Sequence, residues 1–402
     1  MVIGLFGGTF DPLHNGHLSL VDSALASGLV QRLIIMPTGS PPHKKNQVVS
    51  MAGYRYEMVC QTFKNWPAVE ISDLEIRREG PSYTVDTVKQ LQADLSPGDE
   101  LVLIYGSDVL HKIESWHRPA ELMAACQLLV ANRGGQRHQD DVSQAEHLRR
   151  RYGALIRFFP APVITLSSRE IREAVRNDRP YQHLLPESVV RVIRRHEFYS
   201  GQGAQAELPV ALRDQLSSLE RELWTLLDRK RLLHSLNVMI YAAHLATVHE
   251  AELDKACVAA LLHDCAKCLP QSEVLAYARR AGDQQLLEPA LAHGPAGAWL
   301  AKTRFGIDDP AVLRAIHFHT TGCADMSTLD KIIFIADKVE PARTYDNLDM
   351  IRHAAEKDLD ASLLVCIYEI EKFLQRENLS THPYTLAAKR EVENRQQMIG
   401  DK

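Results

Sequence analysis

The sequence predicts two domains of different classes, an α/β domain with a parallel sheet followed by an all-α domain. A chain of 402 residues is longer than one ordinary domain. Short apolar runs alternate with amphipathic stretches in the first half, whereas the second half shows helical periodicity alone. A small, polar, glycine-containing stretch separates the two patterns. The predicted domains therefore cover residues 1–199 and 208–402, joined by a linker at residues 200–207.

Five apolar runs of the first half are predicted to be strands. They lie at residues 2–6, 32–36, 100–105, 127–131 and 156–159. Because these runs are apolar without alternation, they are typical of a parallel sheet that is covered on both faces. The predicted helices of this half lie at residues 18–26, 53–63, 84–95, 118–125 and 168–175.

The second half is predicted to be entirely helical. Its periodic segments lie at residues 208–227, 231–247, 253–267, 310–320, 328–339 and 359–375. The sequence shows no internal repeat, and the two halves differ in class. The chain is therefore interpreted as a fusion of two unrelated folds.

Composition and charge exclude several functional classes. A net charge of −5 argues against a general nucleic-acid coat or a polybasic membrane binder. The chain has no apolar stretch long enough for a signal or membrane helix, and its seven cysteines form no dense disulfide framework. A soluble, cytoplasmic protein is expected. The 18 histidines are unusually many, and histidine is both a metal ligand and a near-neutral acid or base.

The first predicted strand ends in a glycine-rich turn, and a helical pattern follows at once. The turn consists of Gly7, Gly8, Thr9 and Phe10. Glycines let backbone N–H groups approach an anion, and a helix N-terminus presents free donors to it. His14 and His17 lie at that helix start, so both imidazoles can face one phosphate group. The pattern predicts a site that stabilises charge during attack on a triphosphate.

These residues resemble the HxGH signature of the nucleotidyltransferase superfamily, which implies a Rossmann-like domain. The longer string GGTFDPLHNGHL is similar to nicotinate-nucleotide adenylyltransferases of the NadD type. Further matching segments follow in order over about residues 1–200. They are PPHKK with Lys44, GPSYT with Thr84, GSD with Asp108, WHR with Trp116 and His117, and SSREIR with Ser168 and Arg172.

The resemblance implies in-line attack of a mononucleotide 5′-phosphate on the α-phosphorus of ATP. Pyrophosphate would leave with Mg²⁺, and the product would be deamido-NAD. His17 would stabilise the pentavalent centre, with His14, Lys44 and Arg172 on the phosphates. No general base is required, because the attacking phosphate is already ionised.

Other matched positions would bind the substrates. Trp116 would stack on the pyridine ring, while Thr84 and the backbone near His117 would hold the nicotinate carboxylate. Asp108 would serve the riboses, and the turn at residues 7–10 would line the nucleotide site. Ser168 is expected to cap a helix N-terminus, with Arg172 one turn further along and able to reach the β- and γ-phosphates.

The second half carries a set of metal-ligating residue types in apolar helical contexts. His263 and Asp264 are adjacent on a predicted helix, so their side chains point about 100° apart. Both can still bind a metal pair, with the carboxylate bridging two ions. The complete predicted ligand set is His234, His263, Asp264, His293, His319 and Asp337.

This ordered set resembles the HD phosphohydrolase superfamily. The strings ALLHDCAK, AHG, HTTG and ADKVEPAR are similar to the YqeK type over about residues 215–395. The resemblance implies symmetrical cleavage of diadenosine tetraphosphate to two ADP at a di-iron centre. Asp264 and Lys267 are then the catalytic candidates of this half, and Lys338 and Arg343 are further candidates for contacts with polyphosphate oxygens.

Two alternatives remain open beside a bifunctional enzyme. The helical half could be a regulatory module that senses nucleotides, although the full ligand set with Lys267 disfavours this. Either half could also act on other substrates, although Trp116 and Thr84 favour nicotinate. The expected partners are the small-molecule nucleotides, without nucleic acid or membrane, and a homo-oligomer is left open.

Overall fold

The computed structural model of the protein describes residues 1–41, 48–132, 136–200 and 208–400. The chain divides into two compact units, Met1–Gln202 and Gly203–Lys402. Apart from Ser200, the predicted linker lies outside the described residues. Within the described ranges, no helix combines the length and the apolarity that crossing a membrane requires.

The first unit contains a six-stranded parallel sheet in the order β3-β2-β1-β4-β5-β6. Its strands are β1 (Val2–Gly8), β2 (Arg32–Pro37), β3 (Val69–Ile71), β4 (Glu100–Gly106), β5 (Gln127–Asn132) and β6 (Ile156–Pro160). The predicted parallel sheet is confirmed, and each predicted strand is present. The sequence prediction missed β3, which has three residues, lies at the sheet edge and is only half-buried. The GSD segment therefore begins at the last residue of the fourth strand, Gly106.

Helices surround this sheet. They are α1 (Asn15–Ala26), α2 (Ala52–Phe63), α3 (Leu74–Arg77), α4 (Thr84–Asp94), α5 (Pro119–Ala125), α6 (Gln136–Tyr152), α7 (Ser168–Arg176) and α8 (Glu187–Arg195). The prediction missed α3, α6 and α8. Helix α6 gives a weak apolar signal because it is strongly polar, with Ala145 and Leu148 among its few buried apolar side chains.

The strand order places a crevice where chain connections diverge on either side of β1. Strand β1 pairs with β2 on one side and with β4 on the other. In open parallel sheets, ligands bind outside the carboxyl ends of the strands at such a switch point. Gly8 at the end of β1 and Gly106 at the end of β4 therefore mark the edge where a site is expected.

The second unit is helical throughout its described residues, which confirms the predicted all-α class. Its helices are α9 (Val210–Leu223), α10 (Arg229–Val248), α11 (Leu253–Leu262), α12 (Gln271–Ala281), α13 (His293–Thr303), α14 (Pro310–Phe318), α15 (Thr328–Val339), α16 (Leu348–Lys357), α17 (Leu359–Arg376) and α18 (Pro383–Gly400). The core lies among α10, α11, α14 and α15, whose facing side chains are largely buried.

Helix α13 was not predicted because it begins His-Gly-Pro, a sequence with low helix propensity. Tertiary packing explains the helix. A Cβ atom on Gly294 would lie 2.5 Å from the carbonyl oxygen of His317, so only glycine allows α13 to approach α14 this closely.

In the second unit, two predicted helices end directly before a predicted ligand. The helix predicted to reach residue 267 ends at Leu262, so His263 and Asp264 lie in the turn that follows α11 rather than within a helix. Backbone bonds of the i→i+3 type form this turn, including one from the N–H of Lys267 to the carbonyl of Asp264. Helix α14 likewise ends at Phe318, which leaves His319 at its C-cap.

Candidate active sites

Residues 7–17, from the end of β1 into the start of α1, are called the phosphate turn here because the sequence predicts phosphate binding by them, and this segment has a defined hydrogen-bonding geometry. His14 is the N-cap of α1 and has an extended backbone. Its main-chain N–H donates to Nδ1 of His17 over 3.1 Å. Because a backbone N–H can only donate, Nδ1 of His17 must accept, and the neutral ring carries its proton on Nε2. His17 therefore offers an N–H donor from Nε2.

The two imidazoles are stacked, with ring centroids 3.7 Å apart and an interplanar angle of 28°. Burial lowers the pKa of His14 to about 4, while the charge of Glu170 acts weakly in the opposite direction. His14 is thus neutral at physiological pH. The stack does not hold two adjacent positive charges.

A cavity of about 500 Å³ opens at the carboxyl edge of the sheet. Nine of the predicted site residues line it: Gly7, Gly8, Thr9, His14, His17, Thr84, Asp108, Trp116 and His117. Phe10 differs from the prediction. Its side chain is 1% exposed and lies behind His17, with ring centroids 5.1 Å apart, rather than in the cavity wall.

Aromatic contacts organise a second part of the cavity wall. Trp116 meets Tyr105 edge to face, with ring centroids 5.4 Å apart. His117 stacks on Tyr83 at 4.1 Å. Thr84 begins α4 directly after Tyr83. These contacts fix the ring planes of Trp116 and His117 before any ligand arrives.

The motif at residues 167–172 corrects one prediction. Ser167, not Ser168, is the N-cap of α7, and its hydroxyl accepts from the N–H of Glu170. The reason is the spacing, because the Glu170 carboxylate lies three residues after Ser167 and accepts from its N–H in return. Ser168 is the first helical residue, and its hydroxyl donates to the Pro12 carbonyl over 3.0 Å.

Arg172 lies one turn into α7, as predicted, and is directed toward the phosphate turn. One of its guanidinium nitrogens donates to the carbonyl of Asp11 over 2.6 Å. The same nitrogen lies 3.9 Å from the Asp11 carboxylate. Lys44, the other predicted cation of this site, lies outside the described residues.

Sequence reasoning missed Arg55, which supports the phosphate turn from below. Its side chain is almost completely buried and donates to main-chain carbonyls, at 3.0 Å to Thr9, 2.7 Å to Thr38 and 2.8 Å to Ser50. Arginine is rarely buried, and no local pattern on α2 marks this one. Only the fold brings the accepting carbonyls together.

Sequence reasoning also missed Glu75, a buried carboxyl group in the cavity wall. Burial raises its pKa, and the hydroxyl of Thr87, which donates to it over 2.7 Å, partly offsets that effect. The Thr87 oxygen in turn accepts from Arg78. Glu75 thereby connects the α3 segment to α4 beside Thr84.

In the second unit, the six predicted ligands converge around the Asp264 carboxylate. Its Oδ2 atom lies 3.5 Å from His263 Nε2 and 3.9 Å from His234 Nε2. Its Oδ1 atom lies 3.4 Å from His293 Nε2 and 3.6 Å from His319 Nε2. The two oxygens of one carboxylate thus face two different histidine pairs.

Asp337 completes the first of these groups. Its Oδ1 atom lies 3.0 Å from His234 Nε2 and 3.7 Å from His263 Nε2. Three sets of donor atoms are close enough to share an ion: His234, His263 and Asp264; His263, His319 and Asp337; and Asp264, His293 and His319.

The ring orientations fit a metal site. Nδ1 of His263 donates to the Ala260 carbonyl over 2.6 Å, and Nδ1 of His319 donates to the Ile316 carbonyl over 2.7 Å. Both Nε2 atoms therefore face the cluster. His263 is fully buried, and its Nε2 makes no hydrogen bond to any described residue. Although burial lowers the pKa of His263, the neighbouring Asp264 and Asp337 carboxylates raise it to about 10, so the ring carries a proton that a bound metal would displace.

Mixed imidazole and carboxylate donors suit divalent first-row transition metals. Burial alone would raise the pKa of Asp264 and of Asp337. The neighbouring His263 holds that of Asp264 well below its usual range, and Lys338 does so for Asp337. Both carboxylates are therefore ionised and available as ligands. The residues present fit a bound metal pair.

Cationic side chains surround this cluster. Lys267 Nζ lies 3.1 Å from both ring nitrogens of His293, and burial lowers its pKa. Lys338 Nζ donates to Asp337 Oδ2 over 3.1 Å. Arg343 donates to the Asp337 carbonyl over 3.2 Å. All three predicted phosphate-contact candidates of this half thus adjoin the ligand set.

Two further residues at the cluster were not anticipated. Glu340 Oε1 lies 3.4 Å from Nδ1 of His234, on the side of the ring away from Asp337. Arg231 donates to Asp264 Oδ2 over 2.6 Å. The sequence signal for both was their spacing of three residues from a ligand, which places side chains on one helix face or beside its end.

The chain matches two family models. The model described as "Cytidylyltransferase-like" matches residues 5–174, and the "HD domain" model matches residues 231–342. The two matches lie in the first and the second structural unit, respectively.

Curated relatives match the first unit. A probable nicotinate-nucleotide adenylyltransferase from Desulfitobacterium hafniense (strain Y51) is 39% identical over 200 residues, which is 49% of this chain and 95% of that protein. A protein of the same description from Clostridium novyi is 35% identical, over 49% of this chain and 98% of that protein.

One solved structure is similar to part of this chain. It is described as a predicted HD superfamily hydrolase involved in NAD metabolism, from Clostridium acetobutylicum. Its sequence identity to this chain is 39%, its TM-score is 0.43, and the match covers 44% of this chain and 96% of that protein.

Proposed function

Because this chain belongs to the nicotinate-nucleotide adenylyltransferase family over its N-terminal half, we propose that its first unit transfers AMP from ATP to nicotinate mononucleotide. The products are deamido-NAD and pyrophosphate. The observation that carries the proposal is one cavity whose wall contains both the stacked His14–His17 pair and the Trp116 ring. A triphosphate and an aromatic mononucleotide require these two kinds of surface.

The reaction is a direct displacement at the α-phosphorus of ATP, which enters as its Mg²⁺ complex. An oxygen of the mononucleotide 5′-phosphate forms a bond to that phosphorus, and the bond to the bridging oxygen of pyrophosphate breaks. The attacking phosphate is already ionised, so no residue has to remove a proton. The neutral His17 donates from Nε2 to the oxygens on which charge accumulates, and this donation lowers the barrier.

The remaining cations and donors orient ATP. His14, Arg172 and Lys44 contact its phosphates, while the residues of the turn at 7–10 approach it with their backbone. Ser168 supports the same turn through its bond to Pro12.

The aromatic part of the cavity wall selects the acceptor. Trp116 stacks on the pyridine ring, and Thr84 with the backbone near His117 binds the nicotinate carboxylate. Asp108 contacts the riboses. Turnover of the nicotinate and nicotinamide mononucleotides by the intact protein tests this assignment. We expect preference for the acid, and faster turnover of the amide would contradict the proposed acceptor.

We further propose that the second unit is a metal-dependent phosphohydrolase of the YqeK type that cleaves diadenosine tetraphosphate to two ADP. Support comes from the Asp264 carboxylate, whose two oxygens face separate histidine pairs. The ligands would be His234, His263, Asp264, His293, His319 and Asp337, and iron is the proposed metal. When bound, the metal pair would supply Lewis acidity toward phosphate and lower the pKa of a water molecule.

The chain's own residues then position the polyphosphate. Lys267, Lys338 and Arg343 provide positive charge beside the ligand set, where the four phosphates of the substrate require it. Water adds to one phosphorus, the central phosphoanhydride bond breaks, and each half leaves as ADP. Because of the symmetry of the cut, no AMP or ATP is formed.

A nucleotide panel on the intact protein with Fe²⁺ or Mn²⁺ tests this second activity. We expect ADP as the sole product of diadenosine tetraphosphate. Binding without cleavage would instead support a nucleotide-sensing module. Cleavage of other nucleotides, but not this one, would retain a phosphohydrolase and reject the proposed substrate.

A further inference from the structure

Tyr199, close to the end of the first unit, makes a hydrogen bond to the phosphate turn. Its hydroxyl donates to Asp11 Oδ1 over 2.7 Å, between residues that are 188 positions apart in the sequence. Ser50 adjoins both partners. Its N–H donates to Asp11 Oδ2 over 3.4 Å, and its hydroxyl lies 3.4 Å from the Tyr199 oxygen.

The direction of the tyrosine bond is fixed by the surroundings. Burial, and next the charge of Asp11, raise the pKa of Tyr199 well above its usual value. The hydroxyl therefore keeps its proton and donates it to the carboxylate. Such a bond to a charged acceptor is stronger than one between neutral groups.

The backbone is held in unusual conformations at both ends of this contact. Tyr199 has a φ of 67°, and Phe10, directly before Asp11, has a φ of 51°. L-residues disfavour this left-handed region, so surrounding contacts must hold both segments in place. The Tyr199–Asp11 bond is a contact that connects the two.

Asp11 in turn anchors Arg172. Asp11 is 1% exposed, and the Arg172 guanidinium lies 3.9 Å from its carboxylate while donating to its carbonyl. The 3.9 Å separation is too long for a direct hydrogen bond. The Asp11 carboxylate is thus held by Tyr199 and Ser50. Arg172 therefore keeps guanidinium N–H donors that the carboxylate does not use.

We propose that Tyr199 is a positioning residue of the ATP site, which acts through Asp11 on Arg172 and the phosphate turn. The inference rests on the proposed adenylyl transfer. Without the tyrosine hydroxyl, the Asp11 carboxylate lacks its strongest donor and is free to rotate onto Arg172. The guanidinium would then be drawn from the phosphates into a closer ion pair.

The test is Tyr199→Phe in the intact protein, with ATP affinity measured by calorimetry and KM measured for both substrates. We expect an increase of about tenfold in the Kd and KM for ATP, since one hydrogen bond to a charged group is lost. The KM for nicotinate mononucleotide should not change. Tyr152→Phe is the matched control, because it removes a hydroxyl bond of 3.1 Å to the Glu114 carboxylate on another surface.

A double-mutant cycle separates positioning from a general loss of stability. In an Asp11→Ala background, Tyr199→Phe should no longer change ATP affinity, because its partner is absent. An unchanged Kd for ATP in the single variant would overturn the inference. Equal increases in the KM values for both substrates, accompanied by a decrease in the Tm of Tyr199→Phe, would also overturn the inference. If the wild-type protein formed no deamido-NAD, the proposed function would fail, but the ATP affinities would still decide the role of Tyr199.

Discussion

The main-chain N–H of His14 donates to Nδ1 of His17, and the two rings stack at 3.7 Å. This arrangement determines the chemistry of His17. A proton on Nδ1 would face the His14 N–H directly, so the proton of the neutral ring is carried on Nε2. The proposed catalytic group is therefore a neutral hydrogen-bond donor and not a proton acceptor.

The first prediction tests whether His17 acts as a hydrogen-bond donor rather than as a proton acceptor. His17→Ala and His17→Asn should reduce kcat/KM for deamido-NAD formation by about 10²–10³-fold, as expected for loss of one transition-state donor. His17→Gln should lose less, because its amide can place an N–H donor near the position of Nε2. Steady-state assays of the intact variants measure the effect. Hydrolysis of diadenosine tetraphosphate by the same variants is the internal control and should not change. Equal adenylyl-transfer activities of the His17→Asn and His17→Gln variants would contradict the donor role.

The second prediction concerns acid stability. The pKa of His14 is lowered by burial to about 4 in the folded protein, from an ordinary value of 6.5. Between these two values the unfolded chain binds a proton that the folded chain does not, so the contribution of His14 to stability is present above pH 6.5 and decreases as pH falls toward 4. The loss is on the order of 3 kcal/mol.

Urea unfolding of the wild type and of His14→Gln measures this loss. The wild type should lose more unfolding free energy than the variant between pH 7 and about 4, because Gln does not titrate. Other histidines contribute equally to both proteins and cancel in the comparison. Parallel curves for the two proteins would contradict a neutral, buried His14.

The fold class was predictable because burial determines the apolar runs of a parallel sheet. Strand β3 was not, since Val69–Ile71 is short and pairs on one edge only. The cap of α7 was readable in principle, because Ser167 and Glu170 have the spacing of a capping box. The ends of α11 and α14 lie where His263 and His319 turn toward the Asp264 carboxylate. Local periodicity does not predict such a tertiary contact.

The residues of the site were predictable by type, but their supporting partners were not. Arg55 is buried because carbonyls from two separate loops converge on it. Glu340 lies beside His234 only because α10 and α15 are in contact. Such partners are selected by tertiary distance. The spacing of Glu340 three residues after Asp337 places it near a ligand but does not specify its contact with His234.

The third prediction concerns Glu340. Its carboxylate accepts from Nδ1 of His234 at 3.4 Å, so it orients the ring and increases the basicity of Nε2. Glu340→Gln should weaken Mn²⁺ binding by about 10–100-fold, as found for other residues that support metal ligands. Isothermal titration of the metal-stripped protein measures the affinity. The variant should also show a smaller increase in Tm on metal addition.

Glu356→Gln is the matched control for Glu340. Glu356 faces His244 at 3.6 Å in an exposed pair, so its loss should leave metal affinity unchanged. If Glu340→Gln bound Mn²⁺ as tightly as the wild type, Glu340 would not support the site.

The fourth prediction tests the shared carboxylate and the independence of the two sites. Asp264 supplies an oxygen to both the His234–His263 group and the His293–His319 group. Asp264→Ala should therefore remove both ions, whereas His293→Ala should retain the ion of the other group. Metal analysis after equilibration with Mn²⁺ distinguishes these results.

Asp264→Ala should also abolish hydrolysis of diadenosine tetraphosphate and leave adenylyl transfer intact, with circular dichroism confirming that the helical unit is folded. Full metal content in Asp264→Ala would exclude the shared-ligand arrangement, and loss of adenylyl transfer in a folded variant would contradict two independent sites.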